Sequence, residues 1–179
     1  MRYLKLFLCR ILLLTGCSYK TLNEAVQHKW KEPVKILYIE NKKQTVIFTD
    51  GTTDVQYVFS TFEKEHGRYK YSTNPEEGYT FDSEVGVPFL IRTINREKVG
   101  NIIWGALKTN IKVVRVNVVY TNKNNPDDQM EVQIPVKNNV FIGYPTSSFF
   151  DSETSLFQEW NLSAKAYDED GNVVANINI

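Results

Sequence analysis

Asp168, Asp170 and Asn172 alternate along the stretch AYDEDGNVV as the oxygen ligands of a calcium loop do. Such a loop carries its glycine at position six and a bidentate Glu at position twelve. Here Gly171 stands at position four and no Glu closes the loop. The spacing therefore predicts a hairpin turn in which Gly171 supplies a positive φ. Carboxylate pairs that could divide general-acid and general-base work are Asp50 with Asp54 and Glu63 with Glu65. Glu63 and Glu65 share one side of a strand if the strand runs that far, and solvated edge charge is the reading they support best. His28 and His66 are the 2 histidines, and neither has Cys, Asp or Glu at zinc-motif spacing. His28 is expected on the exposed side of a helix and His66 in a turn. Ser147 and Ser148 sit in a polar loop without the Gly-x-Ser-x-Gly elbow of a hydrolase. Gly100 to Gly105 (GNIIWG) has glycine spacing but no Lys-Ser/Thr to bind phosphate. No catalytic residue, metal ligand or cofactor is expected.

Composition narrows the classes further. Lys plus Arg and Asp plus Glu are both 21, so the basic excess that marks a nucleic-acid binder is missing, and no nucleic-acid partner is expected. The 179 residues hold 2 cysteines, Cys9 and Cys17, too few for a disulfide framework. Aromatic residues are plentiful, with 10 Tyr, 10 Phe and 3 Trp. On a sheet face they could bind sugar rings or a partner protein, and in strands they more simply fill thin cores.

The elements that would position these residues are mainly β. Thr21 and Glu24 have capping-box spacing, and Leu22, Ala25, Val26 and Trp30 fall on one helical face. This predicts one helix of about ten residues ending before Pro33. Beyond Pro33 the period changes to two. VKILYIE puts Val34, Ile36 and Tyr38 on one face; QTVIFT, the run around Val55, Tyr57 and Phe59, and RYKYS complete a four-strand meander. Residues 74–101 are punctuated by Pro75, Gly78, Gly86, Pro88 and Gly100 and read as the least regular part, with a short strand at Phe89 to Ile94 and a soft boundary at Asn95 to Gly100. The second half is a series of short strands: NIIWGAL, IKVVRVNVVY with Val114, Val116, Val118 and Tyr120 alternating, two strands around Lys137-Asn138-Asn139, and a hairpin across Asp168 to Asn172. A small β-sandwich or open barrel is the expected form. The expected fold is thus a short N-terminal helix on an antiparallel meander over 21–95, followed by a β-sandwich-like module over 96–179.

The N-terminus reads as an address. Residues 1–17, MRYLKLFLCRILLLTGC, join a positive start (Arg2, Lys5) to an apolar run, the pattern of a secretory signal, and are too short for a spanning helix of about 20 apolar residues. Arg10 interrupts the run, which predicts a weak or slowly processed signal. Leu14-Thr15-Gly16-Cys17 resembles the lipobox of bacterial lipoproteins. The resemblance implies cleavage between Gly16 and Cys17, a signal peptide over 1–16, a diacylglycerol on the Cys17 sulfur and a short polar tether over 17–20. Cleavage would remove Arg2, Lys5 and Arg10 and leave a net charge of −3, so the lipid and not a basic face would be the anchor.

Farther along, TLNEAVQHKWKEPVKILYIE, QTVIFTDG and VQYVFSTFEKEHGRYKY resemble uncharacterised cell-envelope lipoproteins of Gram-positive bacilli, as do NIIWGAL, KVVRVNVVY and AYDEDGNVV. The match is in packing and turn patterns over most of the mature chain. Arg68-Tyr69 follows Gly67 where that family often has a Trp. The family supplies no activity, cofactor or catalytic residue. The expectation is an extracytoplasmic, lipid-anchored module that binds an envelope protein or wall polymer without catalysis. The alternative is a wall-acting hydrolase using a carboxylate pair.

Overall fold

The computed structural model describes residues 18–51, 55–81, 89–96, 99–145 and 160–179. The protein is mainly β, with antiparallel sheets and one short helix among these residues. It forms two units, one ending at Tyr79 and the other beginning at Thr80.

The first unit opens with α1 (Leu22–Gln27). Thr21 is in an extended conformation, its hydroxyl accepts from the Glu24 amide at 3.1 Å, and the Glu24 carboxylate accepts from the Thr21 amide at 3.3 Å. This capping box satisfies amides that a helix start leaves open. The helix is shorter than expected because the Gln27 side chain takes over the chain beyond it. Its amide nitrogen donates to the carbonyls of Trp30 (3.1 Å) and Glu32 (3.0 Å), and its oxygen accepts from the Val34 amide at 3.0 Å.

Four strands follow in spatial order β1 (Val34–Glu40), β2 (Thr45–Asp50), β3 (Gln56–Glu65) and β4 (Arg68–Thr80). Leu22, Ala25 and Val26 of α1 pack on Val46, Phe48, Val58, Phe62 and Tyr71, with Trp30, Val34 and Ile36 at the margin. β1 departs from simple alternation. Ile36 pairs with Phe48 but Tyr38 pairs with Ile47, so an extra residue at Leu37 turns Tyr38 to the face away from the helix. Ile47 and Phe59 on that other face are also fully buried. Burial on both faces explains why β2 reads as a continuous apolar run rather than an alternation. β4 passes straight through Asn74-Pro75 and Gly78, where the sequence suggested irregular chain. An edge strand tolerates a proline because its outward side has no ladder to serve.

The second unit is one seven-stranded sheet. Its strands are β5 (Phe89–Arg96), β6 (Gly100–Leu107), β7 (Val113–Asn122), β8 (Gln129–Lys137), β9 (Val140–Gly143), β10 (Trp160–Asp168) and β11 (Val173–Asn178). The spatial order is β11-β10-β7-β8-β9-β6-β5. β7, β8, β9 and β10 stand in the order of a Greek key, and β6 returns beside β9. The sheet curls until Cα atoms of its edge strands β5 and β11 come within 8 Å, the open-barrel alternative to two separate layers. Inside the curl lie Phe89, Ile91, Ile103, Leu107, Val116, Val118, Tyr120, Ile134, Phe141, Leu162 and Ala164.

Two expectations shift here. The boundary falls at residues 79–80 and not near 95, because Phe89–Arg96 pairs in unbroken register with Gly100–Leu107. In β7, Val113 replaces Val114 at the core, since Tyr167 pairs with Arg115 and Asp168 with Val113, leaving Val114 in a bulge. Gly105 is needed where it stands. A Cβ there would lie 2.1 Å from the Leu90 carbonyl oxygen and 2.4 Å from the Phe141 ring.

Candidate functional site

Residues 1–17, with Gly16 and Cys17 of the expected signal, lie outside the described residues. Ser18 to Lys20 do not hang as the tether the sequence suggested. Tyr19 exchanges two backbone hydrogen bonds with Tyr69 of the β4 edge, each 2.8 Å. Arg68 donates from Nε to the Ser18 hydroxyl at 2.8 Å and from its other end to the Ser18 carbonyl. The Lys20 amide donates to the Glu24 carboxylate at 3.1 Å, and the Tyr19 ring lies 5.2 Å from the His28 ring. Lys64 stands 5.0 Å over the Tyr69 ring. Backbone pairing, a forked guanidinium and the capping box thus fix the chain from its first described residue.

A second cluster was not visible in the sequence. Trp30 Nε1 donates to Glu76 at 3.1 Å and lies 3.5 Å from the Tyr71 hydroxyl, which also donates to Glu76. Phe48 sits edge-on to both rings, at 5.3 Å from Trp30 and 5.9 Å from Tyr71. Burial, and then the Glu76 carboxylate, push the Tyr71 phenol far above its ordinary range. A phenol held neutral in this way is a hydrogen-bond donor and not a base. The cluster lies at the margin of the helix-side core and satisfies the Trp30 and Tyr71 donors with one carboxylate oxygen. Trp30 is 41 and 46 residues from Tyr71 and Glu76 in sequence, beyond any periodic signal.

The remaining sequence candidates resolve one by one. β3 does continue through Glu65, which puts Glu63 and Glu65 on one side, and both are exposed. Asp54, Ser147 and Ser148 lie outside the described residues. Asp50 instead feels Glu32: burial first, then the Glu32 charge, raise its carboxyl above the ordinary value. His66 and Gly67, with φ of 50° and 75°, form the two-residue turn between β3 and β4, so His66 has a left-handed backbone role. His28 is exposed at the helix end. Gly100 to Gly105 is strand β6, not a phosphate loop. Asp168 braces its own hairpin. One carboxylate oxygen accepts the amides of Asp170 (3.0 Å) and Asn172 (2.8 Å), the other the Asn172 side chain (3.1 Å). These bonds, led by the Asn172 side chain, lower its carboxyl, and Gly171 has the expected positive φ of 86°. Among the described residues no group of three or more His, Cys, Asp or Glu is placed to hold a metal, and no helix is long and apolar enough to cross a membrane.

No protein-family model, no curated protein and no solved structure matches the chain.

Proposed function

We propose that this chain is an exported protein anchored through a diacylglycerol on Cys17. On this reading it is a non-catalytic binding or interaction module at the outer face of the cytoplasmic membrane. The observation that carries the reading is the junction at residues 14–19. Leu14-Thr15-Gly16-Cys17 follows a positive, apolar segment, and Tyr19, two residues beyond Cys17, is paired with Tyr69 of the β4 edge. A signal peptidase cutting before Cys17 would leave a body whose first residues already have their partners. The hydrolase alternative draws no support from Glu63 and Glu65, which are exposed at the end of β3.

The test is the intact mass of the membrane-extracted native protein beside a Cys17→Ala variant. The expected result is the mass of residues 17–179 plus a diacylglycerol adduct, lost in the variant. An unprocessed and unmodified chain overturns the proposal and identifies Arg10 as the residue that spoils the signal.

A further inference from the structure

We infer that the outer edge of β4 around Arg68 and Tyr69 is a membrane-contact surface whose partner is the phospholipid headgroup layer. The inference rests on Cys17 being the lipid-bearing residue. It follows from chain length. Consecutive Cα atoms are about 3.8 Å apart, so the Cys17 Cα stands one such step from Ser18. Ser18 is held by Arg68 through both its hydroxyl and its carbonyl, and Tyr19 is paired with Tyr69 on both sides of the peptide. A free four-residue tether would let the body drift about 14 Å from its anchor. The clamp removes that slack.

A diacylglyceryl group sits with its glycerol at the boundary between headgroups and acyl chains. Whatever is clamped one residue from it is carried to the headgroup layer. The exposed side chains there are Arg68, Lys20 and Lys64, which lies over the Tyr69 ring, while Tyr69 and Tyr19 are half-buried against the helix-side core. Long basic side chains settle at such a boundary, with apolar stems down and polar ends in the headgroups. Glu24, Glu63 and Glu65 stand on the same elements, so this is no polybasic patch. Tether geometry sets the contact, and net charge does not. The Arg68 end of the first unit is therefore held at the membrane surface, and the partner it binds is membrane-proximal rather than deep in a wall.

The test uses the full lipidated protein in phosphatidylcholine nanodiscs doped with a headgroup spin-labelled lipid, read by broadening of backbone amide signals. The control amides are Gly51 and Val55. They flank the far end of β3, whose 10 residues span about 30 Å at about 3.3 Å per residue. The expected result is broadening at Arg68 and Tyr69 at least fivefold greater than at Gly51 and Val55. It should fall to the control level when ten Gly/Ser residues are inserted between Cys17 and Ser18. Equal broadening at both sites, with the lipid adduct confirmed by mass, overturns this inference and leaves the anchoring intact. Broadening that survives the insertion also overturns it, because the face would then be held by its own chemistry. Absence of the adduct overturns anchoring and contact together.

Discussion

The two units solve the problem of burying a sheet in opposite ways. In the helix–meander unit, strands adjacent in space are adjacent in sequence, and local devices set the boundaries: a capping box, a Gln27 brace and a two-residue His66-Gly67 turn. In the curled unit the decisive pairings are long-range. Ile103 meets Gly143, and Trp160 meets Asn122. Its fit depends on volume, as where Gly105 makes room for the Phe141 ring. The contrast teaches that single-residue sensitivity should lie at caps and turns in the first unit and at buried volume in the second. Loop-closure entropy must be met before long-range contacts repay it, so the second unit has the more non-local order to lose.

The strongest way to break this contrast is Phe141→Ala. Phe141 is fully buried, meets Phe89 edge-on at 5.9 Å, and lies over Gly105. Its loss should cost about 3–5 kcal/mol, and segment-resolved hydrogen exchange should place that cost in the amides of β5 to β11. Equal loss in the amides of β2 and β3 would mean that the two units unfold together.

A smaller effect comes from alkaline pH. Burial raises Tyr120 to about 12, with the Thr93 hydroxyl only partly opposing the shift. In the unfolded chain a tyrosine titrates near 10. The native state thus keeps a proton that the unfolded state gives up. Stability from this site is complete below about pH 10 and is lost as pH rises toward 12, about 2–3 kcal/mol in all. Denaturant midpoints measured from pH 9 to 11.5 should fall less steeply in Tyr120→Phe. Identical slopes in the two proteins would remove Tyr120 from the account.

How much of this was legible in the sequence follows from which forces act locally. The capping box, the Gly171 turn, the meander and nearly every strand of the second half could be read from spacing, because those signals reside in neighbouring residues. Faces were harder. Bulges at Leu37 and Val114 each insert one residue, and one residue is enough to turn a strand over. IKVVRVNVVY cannot announce its bulge, because Val113 and Val114 are chemically the same. The Trp30–Tyr71–Glu76 cluster and the Arg68 hold on Ser18 join positions more than forty residues apart. Nothing in the local pattern marks them. The tether reading failed for the same reason: Ser18-Tyr19-Lys20 is polar and short, and only the edge of β4 gives it an order.

The finest test of the contrast is Thr21→Ala. The hydroxyl bond to the Glu24 amide is lost, and substitutions of this kind cost about 1 kcal/mol. α1 has only six residues, far below the length at which a helix stands alone in water, so its order depends on its cap and on the sheet beneath. The local account predicts that exchange of the Glu24 to His28 amides speeds up about fivefold, while the amides of Val46 and Phe48 hold their rates. The Glu24 carboxylate would still reach the amides of Lys20 and Thr21, so the hold of Arg68 on Ser18 should persist. If β2 loses protection by the same factor, cap and sheet are one cooperative element. The first unit would then depend on its core as much as the second does.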